Sequence, residues 1–233
     1  MSVILKETPL AEEATGTRVA AIAPDLWMIE GPVVSFYGFP YPTRALIARL
    51  ADGGLWVWSP VPLDKALRAE VAALGPVHHL VSPNKLHHLG LDAWHAAWPA
   101  ARLWGPASLT HKRDDLPFAG ALTDAPPADW ADTIDQAWFR GGLLLDEVAF
   151  FHRPSCTAIL GDLVQTFTES FLHHHWAAWQ RPIARLWHIT DAHGEAPLEI
   201  RLSFVNRAPA RAALERVLAW NPERVVMAHG RWR

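Results

Sequence analysis

The sequence of 233 residues is poor in cysteine and in surplus positive charge. Its single cysteine, Cys156, excludes an internal disulfide and a cysteine-based zinc site, and a lone thiol suits a reducing cytoplasm. Lys and Arg number 21 against 24 Asp and Glu, giving a formal charge of −3, so no basic excess is present to neutralise phosphates. We therefore expect no nucleic-acid partner.

Long apolar segments are also missing. The first residues, MSVILKETPLAEEATG, lack the basic region and apolar stretch of a secretion signal, and no run of about 18 apolar residues follows. We therefore expect a cytoplasmic protein that acts on a small molecule rather than on a membrane.

The residues that are present can form a large core. Half are hydrophobic and 19% are charged, which is typical of a globular protein. We expect an N-terminal arm over residues 1–20 and a single α/β domain over 21–233. Residues 43–61 predict a β-hairpin around Asp52-Gly53-Gly54, 63–74 a helix ended by Gly75-Pro76, and 77–83 the next strand.

Strands and helices continue along the chain, and its two halves are alike in plan. A loop and helix follow over 84–99, a strand over 101–106, and an irregular region over about 111–135. Residues 147–163 predict a second hairpin and 167–180 a helix or lid. The last elements are a helix over 208–219 and a strand over 224–230. Two mixed sheets between outer helices, a four-layer αββα sandwich, fit this order.

Tryptophan is abundant, with 13 copies. Most of these side chains are expected in the layers between helices and sheets, and the alternative is an aromatic-walled pocket. An exposed tryptophan within 171–187 would be compatible with a homodimer contact.

Three polar features follow or end predicted strands: His87-His88, Asp162 and His229. Strand ends are where α/β proteins place reactive groups, so these side chains can converge. Imidazole and carboxylate ligands suit zinc or iron, and three histidines with one aspartate have the number of ligands that a single ion needs. The alternative is a metal-free site in which these residues hydrogen-bond one another.

The spacing of these features resembles the metallo-β-lactamase superfamily. Its loop motif, Thr-His-x-His-x-Asp-His, aligns with residues 82–88, so that Pro83 and Lys85 occupy the first two histidine positions, His87 the aspartate and His88 the last histidine. Gly161-Asp162 matches the Gly-Asp that follows a strand in that superfamily, and His229-Gly230 matches the terminal histidine.

The resemblance implies half of a two-metal site. The third histidine of the first metal falls in the stretch 141–146, which contains no histidine. All ligands of the first metal are thus replaced, whereas each position of the second carries a possible ligand. The run FFHRPSCTAILGDL, residues 150–163, resembles an uncharacterised bacterial branch of the superfamily.

The resemblance implies a mononuclear metal-dependent hydrolase of unknown substrate that holds one divalent ion, zinc or else iron. Asp162 would serve as ligand and as orienter of a water, and Lys85 would supply positive charge at the vacated metal position. Two alternatives remain open: a non-catalytic protein that binds a small ligand, and an iron-dependent oxidative enzyme.

The other histidines favour structural roles. His78 and His79 lie inside a strand, and His152 lies near a turn. The tract His173–His175 resembles a metal-binding sequence only in composition, since consecutive helical residues do not share a face.

Overall fold

The computed structural model describes residues 18–233, so most of the predicted N-terminal arm, residues 1–17, lies outside the described residues. The first strand already begins at Val19, within the last residues of that arm. The strands in chain order are β1 (Val19–Ala23), β2 (Leu26–Glu30), β3 (Val34–Phe36), β4 (Phe39–Tyr41), β5 (Arg44–Arg49), β6 (Leu55–Trp58), β7 (Val77–Val81), β8 (Arg102–Gly105), β9 (Phe118–Ala121), β10 (Ile134–Phe139), β11 (Glu147–His152), β12 (Thr157–Thr166) and β13 (Arg224–Gly230).

Seven helices connect or cover these strands in the described residues. They are α1 (Lys65–Leu74), α2 (Leu91–Ala97), α3 (Ala107–Lys112), α4 (Glu169–His175), α5 (Arg181–Leu186), α6 (Leu198–Ser203) and α7 (Arg207–Ala219). Asp64 caps α1 by accepting a hydrogen bond from the backbone N–H of Leu67, and Gly75 follows the last helical residue. Among residues 18–233, none of the helices combines the length and the hydropathy that a membrane span requires.

The strands form two mixed sheets and a small hairpin. The larger sheet has the order β1-β2-β5-β6-β7-β8-β9, antiparallel as far as β6 and parallel beyond it. The smaller sheet has the order β10-β11-β12-β13, in which only the last pair is parallel. Strands β3 and β4 pair with each other.

The alternation of side chains along β6 separates the layers. Val57 belongs to the core beneath the first helices, where it clusters with Leu67 of α1. Its neighbour Trp56 points the other way, into the layer between the sheets, where its ring meets that of Phe150 at 5.0 Å between centroids. Burying a side chain of this size contributes roughly 1.5–3 kcal/mol, so both faces of this strand help to hold the layers together.

The fourth layer is α7. Ala213 and Val217 lie one turn apart and cluster with Ala149 and Leu160 on the outer face of the smaller sheet. Helices thus cover both outer faces, and the predicted αββα sandwich is confirmed.

Most predicted elements are present, but α5 and α6 lie between residues 181 and 207, where no element was predicted. The hairpin over 43–61 and the strand over 224–230 form as expected. The prediction of an irregular region over 111–135 was wrong in part, because β9 forms at its centre and pairs with β8. The sequence of β9, FAGA, contains small residues and no clear alternation, so only pairing within the sheet reveals it as a strand.

The tryptophans are mainly core residues. Those with almost no exposed surface are Trp56, Trp58, Trp94, Trp130 and Trp176. Within the predicted contact segment, residues 171–187, Trp179 is the exposed tryptophan, with 66% of its surface accessible. A homodimer that uses this residue stays a prediction.

Because His152 is buried, we expect the protein to lose stability in mild acid. Burial lowers its pKa to about 4, and its Nδ1 contacts the Ser155 hydroxyl at 2.7 Å. Between pH 6.5 and 4 the unfolded chain binds a proton that native His152 does not, so this contribution is complete above pH 6.5 and declines as the pH falls. Urea unfolding at pH 7.5 and pH 5.0 should show that His152 accounts for about 2 kcal/mol of the decrease.

The variant His152→Phe should show a correspondingly smaller decrease between the two pH values. The exposed His174 offers a matched control, and His174→Phe should keep the full decrease. Equal pH dependence in the His152 variant and the unchanged protein would contradict this assignment.

Candidate metal centre

Three of the predicted ligands come together between the two sheets. His87 lies in the loop between β7 and α2, whereas Asp162 and His229 lie on the neighbouring strands β12 and β13. The pairing of these two strands is interrupted between Leu160 and Gln165, so Asp162 lies where the ladder opens. One ligand thus comes from a loop that follows a strand of the larger sheet, and two come from strands of the smaller sheet.

The ligand atoms lie close enough together for one small cation to contact all three residues. Nε2 of His87 lies 3.3 Å from Oδ2 of Asp162, and Nε2 of His229 lies 3.1 Å from Oδ1. One ligand atom from each of the three residues lies within 4.8 Å of the others. A tetrahedral ion with nitrogen and oxygen ligands at about 2.0–2.1 Å separates these atoms by roughly 3.3–3.4 Å. In residues 18–233 this is the one group of three such side chains that meets the distance criterion.

The contacts of His229 show which of its ring nitrogens faces the centre. Its Nδ1 lies 2.6 Å from the carbonyl oxygen of Pro42, which can only accept, so Nδ1 must donate. Nε2 then faces the Asp162 carboxylate, to which an imidazolium donates and at which the neutral ring directs a lone pair that a cation between them would accept. Metal-bound histidines characteristically donate their other N–H to a backbone carbonyl, and the residues therefore fit a metal ion.

His87 is held in a similar way by Ser59. The hydroxyl of Ser59 lies 2.7 Å from Nδ1 of His87. Ser59 directly follows β6 and has φ 50°, a left-handed conformation that costs a non-glycine residue roughly 1–2 kcal/mol. Strained residues of this kind cluster at functional sites, and here the strain places a hydroxyl against a candidate ligand.

A buried Glu147 supports Asp162 from behind. Its carboxylate accepts hydrogen bonds from the backbone N–H groups of Gly161 at 2.8 Å and Asp162 at 2.7 Å, which are not paired with β13. A side chain at residue 161 would place its Cβ 2.7 Å from Oε2 of Glu147, so this close approach requires glycine. The glycine of the Gly-Asp pair thus gives the Glu147 carboxylate room to hold the backbone of Asp162.

Asn84 links this support to the histidine loop. Its Nδ2 donates to Glu147 at 2.8 Å and to Asp162 at 2.9 Å, whereas its Oδ1 accepts from the backbone N–H groups of Leu86 and His87. All of these groups are buried or nearly so, and the amide therefore fixes the loop to the aspartate.

The charges of the cluster are strongly coupled. Burial alone would raise the pKa of Asp162, but the charge of His87 and the hydrogen bonds from His229 and His87 hold it well below its ordinary value. Burial lowers the pKa of His87, yet Asp162 more than offsets this effect and the net shift is upward. Burial and Asp162 raise the pKa of Glu147 to about 7. A cation between the histidines would favour the charged form of both carboxylates.

The structure does not bring His88 into the cluster, in contrast to the predicted set of four ligands. Its Nε2 lies 2.9 Å from Nζ of Lys112 and its Nδ1 lies 3.1 Å from Nη1 of Arg113. The loop turns sharply here, because the backbone N–H of Leu91 bonds to the carbonyl of His88, and the adjacent rings point to different neighbours. Burial and the two cations lower the pKa of His88 to about 4.

Lys85 also lies away from the three ligands. Its carbonyl oxygen accepts a hydrogen bond from Lys112, and it is Lys112 rather than Lys85 that lines the cavity over the site. The catalytic role predicted for Lys85 therefore has no contact that supports it among the described residues. Pro83 is buried and Leu143 is 74% exposed, consistent with the loss of the first metal site.

A cavity of about 180 Å³ opens onto His87, Asp162 and His229. Its walls are mainly apolar. They include Val34, Phe36, Tyr41, Pro60, Val61, Pro62, Leu86, Leu89, Pro197 and Ile200. None of the 13 tryptophans, all of which lie in the described part of the chain, is among the lining residues, so the alternative of a tryptophan-walled pocket does not hold for this cavity. The aromatic groups are instead Phe36 and Tyr41, from the β3–β4 hairpin.

The remaining histidines lie apart from this centre. His79 is buried against Trp104, whose Nε1 donates to its Nδ1 at 3.1 Å. His173–His175 end α4 and are exposed. His188 and His193 stack on each other at 4.6 Å between ring centroids.

The sequence matches one protein-family model, described as "Domain of unknown function (DUF4336)", over residues 25–195. The match spans well over half of the chain. The chain belongs to the DUF4336 family. A comparison with curated proteins found no match.

Solved structures show what the fold of this DUF4336 protein resembles. DIM-1 metallo-β-lactamase exposed to ceftazidime has a TM-score of 0.62 and 13% identity, covering 95% of this chain and 92% of that one. The metallo-β-lactamase of Hirschia baltica has a TM-score of 0.59 and 13% identity, covering 92% of this chain and 90% of that one. The metallo-β-lactamase of Pontibacter korlensis has a TM-score of 0.57 and 16% identity, covering 92% of this chain and 91% of that one. The predicted metallo-β-lactamase-like fold is confirmed.

Proposed function

We propose that this DUF4336 protein is a mononuclear metal-dependent hydrolase whose ion is held by His87, Asp162 and His229. The observation that carries the proposal is the Nε2 of His229, which faces Asp162 at 3.1 Å while Nδ1 donates to Pro42. A cation between these groups would accept the lone pair of the neutral His229 ring, and the second imidazole, that of His87, completes a three-residue set.

The donor set of two histidines and one carboxylate is found at catalytic zinc centres with an open position. When bound, a divalent ion would polarise the acyl or phosphoryl oxygen of a substrate and make a water molecule more acidic. The same set also suits ferrous iron, so zinc is the proposed ion and iron the alternative.

The protein supplies the remaining requirements of such a site. Ser59 and the Pro42 carbonyl fix the orientation of the two imidazoles, and Glu147 and Asn84 fix that of the carboxylate. The apolar walls of the cavity limit the access of bulk water, which strengthens electrostatic interactions at the ligands. Asp162 is nearly fully buried and surrounded by donors, so it is a ligand and orienting group rather than a proton carrier.

Hydrolysis of chromogenic substrates tests the proposal. Protein loaded with zinc, and separately with iron under anaerobic conditions, should be assayed against p-nitrophenyl acyl esters, phosphate esters and a β-lactam. We expect turnover of at least one class with zinc, its loss after chelation and its recovery when zinc is restored. Activity that survives chelation, or that persists in Asp162→Asn, would contradict the proposal, as would turnover only with iron and oxygen.

A further inference from the structure

We propose that Lys112 binds a single negative charge on an otherwise apolar substrate, and this inference rests on the proposed function of the cavity. Lys112 is the last residue of α3 and lines the same cavity as the three ligands. The molecule would therefore span from the metal centre to an ammonium group at the cavity wall.

The hydrogen bonds around His88 leave one donor without an acceptor. Nζ of Lys112 approaches Nε2 and Nη1 of Arg113 approaches Nδ1, yet a neutral imidazole accepts through one nitrogen only. Arg113 has other acceptors, since it also bonds to Asp92 and Asp115. Lys112 and Arg113 thus compete for one lone pair of His88, and Lys112 is the one of the two that lines the cavity.

Lys112 also has no carboxylate partner in the part of the chain that the structure describes. Its one further contact is the Lys85 carbonyl oxygen at 3.0 Å, which leaves an N–H available. A charged donor without a counter-ion beside an apolar cavity suits an anionic ligand.

The other lining residues define the rest of the molecule. Val34, Val61, Leu86 and Ile200 provide an apolar surface between the ends of the cavity. Glu199 lines the same cavity and would repel a second negative charge. The cavity thus favours a monoanion, such as a carboxylate on an aliphatic or aromatic body.

Binding of octanoate and of its neutral counterpart octanamide tests the assignment. Titrations followed by NMR should be performed with zinc-loaded and with chelator-treated protein, since octanoate can also coordinate zinc. We expect octanoate to bind about fivefold more tightly than octanamide in both forms, because Lys112 is exposed and an ion pair at an exposed site is worth at most about 1 kcal/mol.

Lys112→Met should remove this preference while leaving the affinity for octanamide within twofold. Lys65→Met is the matched control, because Lys65 is exposed on α1 and does not line the cavity. It should retain the preference.

The outcomes separate the two proposals. A preference that depends on Lys112 in metal-free protein supports the anion site even if zinc binding or hydrolysis fails. A preference that survives Lys112→Met, or that disappears only on chelation, overturns it, because the anion would then bind elsewhere or at the metal. The absence of any preference in the unchanged protein also overturns it.

Discussion

Replacing Asp162 with asparagine is expected to weaken zinc binding by more than about 100-fold, because the substitution removes the one anionic ligand of the centre. Changes to groups that merely orient a ligand already cost about 10–100-fold in affinity, and loss of a ligand's charge should cost more. The carboxylate lies between the two imidazoles at 3.1 and 3.3 Å, so an amide in its place would offer one coordinating oxygen without the negative charge. Competition with a chromogenic zinc chelator measures the affinity directly.

His88→Ala is the control that distinguishes ligation from mere proximity. His88 is adjacent to His87 in sequence and lines the same cavity, but its ring contacts Lys112 and Arg113. We expect its zinc affinity to stay within about twofold of the unchanged protein. Circular dichroism of both variants verifies that they fold, and a larger loss in His88→Ala than in Asp162→Asn would contradict the assignment of ligands.

Truncation of Glu147 to alanine is expected to reduce the free energy of unfolding by about 3 kcal/mol or more, because each buried donor left without an acceptor costs about 1–3 kcal/mol. Three donors would lose their acceptor: the backbone N–H groups of Gly161 and Asp162 and the side-chain amide of Asn84. Urea unfolding at neutral pH provides the measurement.

Two further variants show whether the effect arises from these hydrogen bonds. Glu147→Gln retains the shape but places an NH₂ group against donors, so we expect a smaller loss, about 2 kcal/mol. Glu215→Ala removes an exposed glutamate from α7 and should change stability by less than about 0.5 kcal/mol. If Glu147→Ala were as mild as Glu215→Ala, the carboxylate would not be supporting the aspartate strand.

The local sequence pattern predicts some features of this site and not others. Asp162 and His229 lie on strands that the sequence predicts, and His87 lies in the loop that follows another. Their convergence depends on the packing of the two sheets, because β7 belongs to one sheet and β12 and β13 to the other. The choice between His87 and His88 cannot be made in this way, because the directions of adjacent side chains in a loop depend on its hydrogen bonds. Here Asn84 and the turn into α2 decide it.

The supporting residues were missed for related reasons. Glu147 begins an apolar strand, and only the interrupted pairing of β12 with β13 shows why a carboxylate is buried there. Lys112 lies in a region that the sequence presents as irregular, so its approach to the cavity depends on the packing of α3. Asn84 lies within the loop that carries the resemblance. Its role depends on the amide being buried between two carboxylates, which the sequence does not reveal.

Titration of metal-free protein with zinc, followed by elemental analysis after gel filtration, tests the central claim most directly. The geometry of His87, Asp162 and His229 predicts one ion bound per chain, with no second ion retained. A chain that retains no stoichiometric zinc or iron, or that holds two ions, would contradict a mononuclear centre.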